Sequence, residues 1–261
     1  MKLKIITLII AAALLTGVFT ARIMAGRIIY PPIKTVTLDR GVNKVVNESP
    51  FDIVILSGEP KLTVTGDSRM AEYVGIEIKN KELRIYQTKN NPKKSNGEVK
   101  INIFLPQVSE IWNMGSGDIN VTNMKSNGTC ELLSFGAGDI VVANINATRV
   151  KISNHGSGDI GISGIDAKSL EVMVSGAGDL SVVRAETNQT DLLLNGAGDI
   201  SVMKLKGQSV YVVLNGAGDI RLGGSSDMLH VILNGAGDID ISDFNSRSLS
   251  TVTNGAGDIS Q

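Results

Sequence analysis

The acidic residues with the most regular spacing are eight aspartates, one in each copy of the pentapeptide Gly-Ser/Ala-Gly-Asp-Ile/Leu. Two kinds of chemistry suit such a series. The carboxylates could accept backbone N–H hydrogen bonds within their own glycine-rich turns. They could instead ligate a row of divalent cations such as Ca²⁺, which favours several oxygen ligands. Turn geometry alone satisfies the first role, so it is the favoured prediction. The candidate cation ligands are Asp118, Asp139, Asp159, Asp179, Asp199, Asp219, Asp238 and Asp258.

Residues that could carry catalysis are sparse. Half of the sixteen acidic residues after residue 114 are the repeated aspartate, whereas an active site needs one unique cluster. His155 and His230 lie in different copies of the repeat. Cys130 aligns with Val150 and Val210, which predicts a buried, inert thiol. A nucleophile–base pattern, a phosphate-binding loop and metal-ligand histidine spacing are all missing from the sequence. We therefore predict a protein that is not an enzyme and has no catalytic or cofactor-binding residues.

The spacing of the pentapeptide predicts the fold. Eight copies begin 19 to 21 residues apart, which is typical of a stacked repeat. Apolar residues alternate with period two after each aspartate, as in Ile119 and Val121, and again before the next motif, as in Val210 and Val212. The class is therefore all-β, a parallel β-helix of about 20-residue coils stacked about 4.8 Å apart. The paired motif glycines are expected at corners that require a positive φ.

The chain divides into three parts. In residues 1–25, Lys2 and Lys4 precede an apolar stretch, which indicates a signal peptide or an uncleaved N-terminal membrane anchor. Residues 27–114 lack the pentapeptide but contain β-type alternation, a hairpin over 76–85 and a polar loop over 90–97. We expect this β-rich part to cap the rod. Residues 115–261 form the repeat β-helix.

One further row of residues lies at the third position before each motif. If alternate side chains point inward, this row points outward, and an apolar outer row suggests a partner surface. Asn113, Ser134 and Asn154 stand at the neighbouring second position, which favours a bent strand that buries the row wholly or partly. The row is Trp112, Leu133, Ser153, Met173, Leu193, Val213, Ile232 and Val252. Four residues just before later motifs predict an amide ladder, Asn195, Asn215, Asn234 and Asn254.

The segments Phe51–Ile55, Leu62–Asp67 and Lys81–Ile85, followed by the eight motifs, resemble one known family. Over most of residues 36–261 the chain is similar to the bacterial "putative auto-transporter adhesin, head GIN domain" proteins. The resemblance implies an exported, right-handed β-helix with no known catalytic residues.

The 25 basic and 26 acidic residues give a net charge of −1, which offers no electrostatic basis for binding nucleic acid.

These observations predict an exported, non-catalytic binding or structural module of the bacterial cell envelope, with a role in adhesion. It would be periplasmic, surface-located or secreted, and would touch the membrane only through its N-terminal segment. Its partner would be a cell-surface or envelope component such as a glycan. The alternative is a polysaccharide-binding or polysaccharide-degrading β-helix protein. A groove with a non-repeated acid pair would favour an enzyme, whereas a flat surface with exposed aromatic or apolar side chains would favour binding. The oligomeric state is left open.

Overall fold

A computed structural model describes residues 32–88 and 97–261 of the chain. The interpreted signal or anchor segment 1–25 and most of the predicted loop 90–97 lie outside these residues. The described elements are nineteen strands and one short helix. The strands are β1 Lys34–Thr37, β2 Lys44–Glu48, β3 Asp52–Ser57, β4 Lys61–Gly66, β5 Val74–Lys79, β6 Glu82–Gln87, β7 Val99–Leu105, β8 Glu110–Asn113, β9 Ile119–Lys125, β10 Thr129–Ser134, β11 Ile140–Asn154, β12 Ile160–Val174, β13 Leu180–Glu186, β14 Gln189–Leu194, β15 Ile200–Lys206, β16 Ser209–Leu214, β17 Ile220–Leu233, β18 Ile239–Thr253 and β19 Ile259–Ser260, and helix α1 is Ser68–Ala71.

The strands from β8 onward stack in parallel, with residues opposite their counterparts one coil later except at a register shift around Gly223 in β17. Ile140 pairs with Ile160, and Val150 pairs with Leu170. The result is a parallel β-solenoid of about 8 turns with about 20 residues per turn, as the repeat predicted. The inward residues of successive coils form apolar columns. One such column has side chains that are at most 1% exposed, namely Ile119, Ile140, Ile160, Leu180, Ile200, Ile220 and Ile239. Burial of these columns is the main driving force for stacking the coils.

Each coil has three sides. In the coil formed by β11, pairing to the next coil runs over 140–142, 144–147 and 149–154, with the chain bending between these stretches. We call these the first, second and third sides. The motif corner is the Gly-Ser/Ala-Gly-Asp turn that joins the third side to the next coil. The far corner joins the second side to the third. The outward surface of the third sides, together with the residue that directly precedes each motif, is called the pre-motif face.

The N-terminal part continues the same sheet and then closes it. Strands β2 and β3 pair in parallel with β8 and β9, so they form one more coil below the first motif. Strands β6 and β7 stack on β2 and β3 in turn, and β5 and β4 add to them in the antiparallel direction. The predicted hairpin is confirmed as β5 and β6, which are joined through Asn80 and Lys81 with φ values of 51° and 68°. Antiparallel strands cannot extend a parallel solenoid, so this β-rich segment terminates the ladder. Within the described residues no helix is long and apolar enough to cross a membrane.

Candidate functional site

The motif corner is where successive coils approach most closely. A Cβ atom placed on Gly196 would collide with the carbonyl oxygen of Gly176, and one on Gly198 with that of Gly178. Among residues 32–88 and 97–261, the glycines with positive φ are Gly66 and Gly224, and neither belongs to a motif. The expectation that the motif glycines adopt a positive φ is therefore wrong. They are required because coil-to-coil contact leaves no room for a side chain.

The eight motif aspartates form one continuous hydrogen-bonded column. The backbone N–H of Asp139 donates to Oδ1 of Asp118 at 2.9 Å, and that of Asp219 donates to Oδ1 of Asp199 at 2.8 Å. The same bond recurs at each of the five remaining steps between motifs. The bonds thus run between coils, and the predicted bonding of each carboxylate within its own turn is wrong. Amides of the turn are engaged elsewhere, since the N–H of Ala197 donates to the carbonyl of Gly176.

The aspartate column starts one coil earlier than the motifs indicate. Oδ1 of Asp52 accepts the N–H of Asp118 at 3.1 Å, and Ser49 and Phe51 contact Gly115 and Gly117 as a preceding motif would. Residues 49–53, with sequence SPFDI, therefore occupy a motif position without its glycines. Sequence reasoning missed this coil. An alignment of the Asp-Ile pairs at 52–53 and 118–119 would have found it.

The eight candidate cation ligands, Asp118, Asp139, Asp159, Asp179, Asp199, Asp219, Asp238 and Asp258, lie at or near the surface in this column. One oxygen of each of the first seven already accepts a backbone N–H. In the described part of the chain, no three His, Cys, Asp or Glu side chains are grouped so that they could hold a metal ion. Calcium binding along the column stays the untested alternative.

The row at the third position before each motif faces outward along the pre-motif face. Seven of its members, from Trp112 to Ile232, are half-buried by their neighbours, and Val252 is exposed. The predicted partial burial is confirmed, but the bent strand invoked for it is wrong. Asn113, Ser134 and Asn154 are fully buried because they continue the inward alternation. The amide of Asn113 donates to the carbonyls of Gly117 and Gly138, both at 3.0 Å, which ties the core to the motif corner.

The pre-motif face also carries most of the aromatic side chains of the repeat. Both histidines of the chain stack on an aromatic ring of the preceding coil. The ring centroids of Phe135 and His155 are 4.9 Å apart, and those of Tyr211 and His230 are 5.1 Å apart. Phe135 is 53% exposed and Tyr211 is 41% exposed. The sequence prediction treated the histidines as isolated, because it did not compare each one with the residue one coil earlier, 20 residues before His155 and 19 before His230.

Two other features of the face stabilise it. Nζ of Lys44 lies 3.3 Å from the centroid of the Trp112 ring, a cation–π contact. The predicted amide ladder is confirmed. Asn215 donates to Asn195 at 2.8 Å, Asn234 donates to Asn215 at 2.9 Å, and Asn254 donates to Asn234 at 3.0 Å.

A polar groove of about 880 Å³ follows the second side and the far corner across five coils. Asp166 and Glu186 stand opposite each other there and are not part of the repeat. Arg184 donates two hydrogen bonds of 3.1 Å to Asp166 and lies 3.2 Å from Glu186. The hydrogen bond to Asp166, together with the two negative charges, raises the pKa of the Arg184 guanidinium. The groove therefore contains a non-repeated acid pair, but an arginine is bound to both carboxylates.

Cys130 lies in the core and is 1% exposed. Burial alone raises the pKa of its thiol to about 11. A thiol with that pKa is almost entirely protonated at neutral pH, and the thiolate is the nucleophilic form. The predicted burial of the thiol is confirmed, and its inertness stays a prediction.

Comparisons with known proteins give the fold and the family. The "putative lipid binding protein" of Parabacteroides distasonis ATCC 8503 is 18% identical with a TM-score of 0.69, over 87% of this chain and 96% of that one. A "putative adhesin" of Parabacteroides merdae ATCC 43184 is 14% identical with a TM-score of 0.67, over 87% and 95%. A "putative adhesin" of Bacteroides fragilis NCTC 9343 is 18% identical with a TM-score of 0.60, over 89% and 99%. At these identities the likeness concerns the fold alone.

No curated protein matches the chain. A family model does match it, over residues 43–206 and again over 172–260, and so spans the N-terminal coil, the aspartate column and the pre-motif face. The chain belongs to the family described as "Putative auto-transporter adhesin, head GIN domain".

Proposed function

We propose that the chain is an exported, non-catalytic binding module of the bacterial cell envelope that attaches to a cell-surface component through its pre-motif face. One observation carries the proposal, the outward row from Trp112 to Val252. It runs along every coil of the repeat, is mostly apolar, and is only half covered. Apolar surface that is continuous over many coils is costly to leave in water, and its usual role is contact with a partner.

Export and adhesion are supported by different parts of the chain. The basic and apolar pattern of residues 1–25 supports export. The family description supports adhesion, and the fold supports it too, because a stiff rod presents a long, flat surface. Lipid is the competing ligand class, since a relative with the same fold is described as a lipid-binding protein.

Three observations support a non-catalytic role. The carboxylates of the acid pair in the groove are bound by Arg184, so neither is free to serve as a general acid or a nucleophile. Cys130 is buried, and both histidines are stacked on aromatic rings. We propose that the aspartate column is structural, joining one coil to the next, and that it needs no Ca²⁺.

The second candidate is a polysaccharide-binding or polysaccharide-degrading protein that uses the groove. The observation in its favour is the groove itself, which places Asp166 and Glu186 together on a concave, polar surface. Carboxylate pairs are the catalytic groups of most glycosidases. Removing Arg184 separates the two candidates, because only the second requires a change in binding or hydrolysis.

The test is binding of the purified protein to intact bacterial cells and to an array of envelope glycans, in calcium and in chelator. We expect binding in both conditions. The double variant Leu193→Lys, Val213→Lys should lose it, because two charges interrupt the apolar row. Ser201→Lys is the control for an added positive charge away from the row, since it places one lysine on the first side, next to Arg221. Arg184→Ala should bind normally. Loss of binding in Arg184→Ala, or in chelator, would contradict the proposal in favour of the groove or of the cation column.

A further inference from the structure

The two histidine stacks on the pre-motif face share one geometry. In each stack the two rings come from successive coils and are nearly parallel, with angles of 14° and 17° between their planes. Their centroid separations of 4.9 and 5.1 Å match the strand spacing of about 4.8 Å. The two rings of each stack are therefore displaced from each other along the axis of the rod. Each stack ends in an imidazole that has no further aromatic ring against it in the following coil.

The residue that follows each histidine in its column is a serine. Ser250 is paired with His230, and Ser175 stands one coil after His155, since Asn154 pairs with Val174. Both serines are exposed, and a serine side chain is too short to cover an imidazole ring. The short serine therefore leaves a notch about one coil high beyond each imidazole, bordered by the ring and by a hydroxyl. A shallow depression of about 620 Å³ borders the first stack, lined by Met114, Phe135 and His155 and by small residues of the motif corner.

We propose that each notch binds one hexose ring of a surface glycan, so that the sugar stacks on the imidazole as a third ring. This inference rests on the proposed function and names its ligand class. A hexose has an apolar C–H face and a rim of hydroxyls. The π face of an aromatic ring is electronegative and attracts the polarised C–H groups. The hydroxyls would meet Ser157 and Ser175 and the amide of Asn195, which are exposed around the first notch.

The two notches would act together on one chain of sugars. Ser175 and Ser250 lie four coils apart, about 19 Å along the rod, and their columns are four residues, or about 13 Å, apart across the face. The outward row of Leu193, Val213 and Ile232 runs between them. An oligosaccharide laid along the face can reach both notches, and binding at the second is then favoured by tethering at the first. An acyl chain would not use this arrangement, because the walls of the notches are hydroxyls and amides.

The experiment follows the imidazole signals of the protein by NMR. The chain has two histidines, so the spectrum contains two sets of imidazole signals. The variants His155→Ala and His230→Ala assign each set to its residue. The probes are hexasaccharides of glucose, galactose, mannose and N-acetylglucosamine, and vesicles of phosphatidylglycerol. The blocking variants are Ser175→Phe and Ser250→Phe, whose added ring fills the notch and continues the stack. Ser201→Phe is the matched control on another side. Melting curves establish that all variants are folded.

We expect at least one hexasaccharide to shift both imidazole signals. Each blocking variant should weaken its binding about tenfold, since one stacked ring is lost, and the control should not. The inference is overturned if no hexasaccharide shifts either signal, if the blocking variants bind as the wild type does, or if only the vesicles shift the signals. If the protein still attaches to cells in those cases, the proposed function stands, and only hexose binding at the notches is rejected. Failure to attach to cells or glycans would remove the proposed function itself.

Discussion

The motif corner and the far corner belong to the same coils but differ in how freely their residues vary. At the motif corner every copy has two glycines against the preceding backbone and an aspartate bonded to the next coil. At the far corner the residue types change from coil to coil, and the first coil has three residues, 126–128, where the second has two, 147–148. Residues repeat where stacking leaves no free space, and they vary where side chains meet solvent. The repeated motif is therefore structural, and specific binding is to be sought in the residues that do not repeat.

Alanine at two glycines tests this contrast with the largest expected effect. In Gly196→Ala the new Cβ would collide with the carbonyl of Gly176, which is backbone and cannot move aside. We expect the free energy of unfolding to fall by about 3 kcal/mol, as for severe overpacking. In Gly207→Ala, at the far corner, the nearest atom is the carbonyl oxygen of Thr187 at 3.4 Å, an ordinary contact. Stability should then rise by about 0.5 kcal/mol, because alanine lowers the entropy of the unfolded chain.

Denaturant unfolding of the two variants measures the difference, with the wild type as reference. Similar losses of stability in both would show that the two corners are equally constrained, and the contrast between them would fail.

The aspartate column gives an intermediate effect. Asp199→Ala removes the acceptor of the Asp219 N–H and should lower stability by about 1–2 kcal/mol. Asp199→Asn keeps an oxygen acceptor and removes one of a series of like charges, so it should be at least as stable as the wild type. In thermal melting, each of the three proteins should have the same Tm in calcium as in chelator. A calcium-dependent rise in the Tm of the wild type that Asp199→Asn abolishes would assign the column to cation binding instead.

Most of the fold could be predicted from the sequence because every coil of the solenoid repeats the same pattern of strands and turns. The eight Asp-Ile pairs fix the register, and period-two alternation fixes which side chains point inward. The predictions that were wrong concern details that depend on contact between coils. The role of Gly196 and the bond from Asp219 to Asp199 both require the adjacent coil, whose exact position is not encoded in one repeat.

The surfaces could be predicted less well than the scaffold. The row from Trp112 to Val252 was found because it follows the repeat. The stacks of Phe135 on His155 and of Tyr211 on His230 were missed, because each occurs once and in a different column. The groove with Asp166 and Glu186 was also missed, since the two acids belong to different coils and meet only through parallel pairing. Features that occur once leave no periodic signal.

On the second side, next to the far corner, the ion pairs of the groove should contribute little to the free energy of unfolding. Arg184→Ala removes contacts to Asp166 and Glu186, but all three side chains are 40% or more exposed. Exposed ion pairs contribute about 0.5 kcal/mol, and salt screens them. We expect a loss of that size at low salt and none at 1 M salt, by denaturant unfolding. A loss that persists at 1 M salt would show that the groove is part of the scaffold, as the motif corner is.

The smallest expected effect concerns Cys130, which begins the third side just after the far corner. If sequence variation there reflected loose packing, local opening would expose this thiol. Because burial raises its pKa to about 11, the thiolate is scarce in the folded protein until the pH approaches that value. In the unfolded chain the thiol ionises near its ordinary pKa of 9.0, so it becomes reactive at lower pH. We therefore expect a disulfide reagent at pH 8 to modify the native protein only at the rate of global unfolding, and the denatured protein within seconds to minutes. Fast modification of the native protein would mean that the far corner opens on its own, and its variability would then reflect weak packing as well as freedom from stacking.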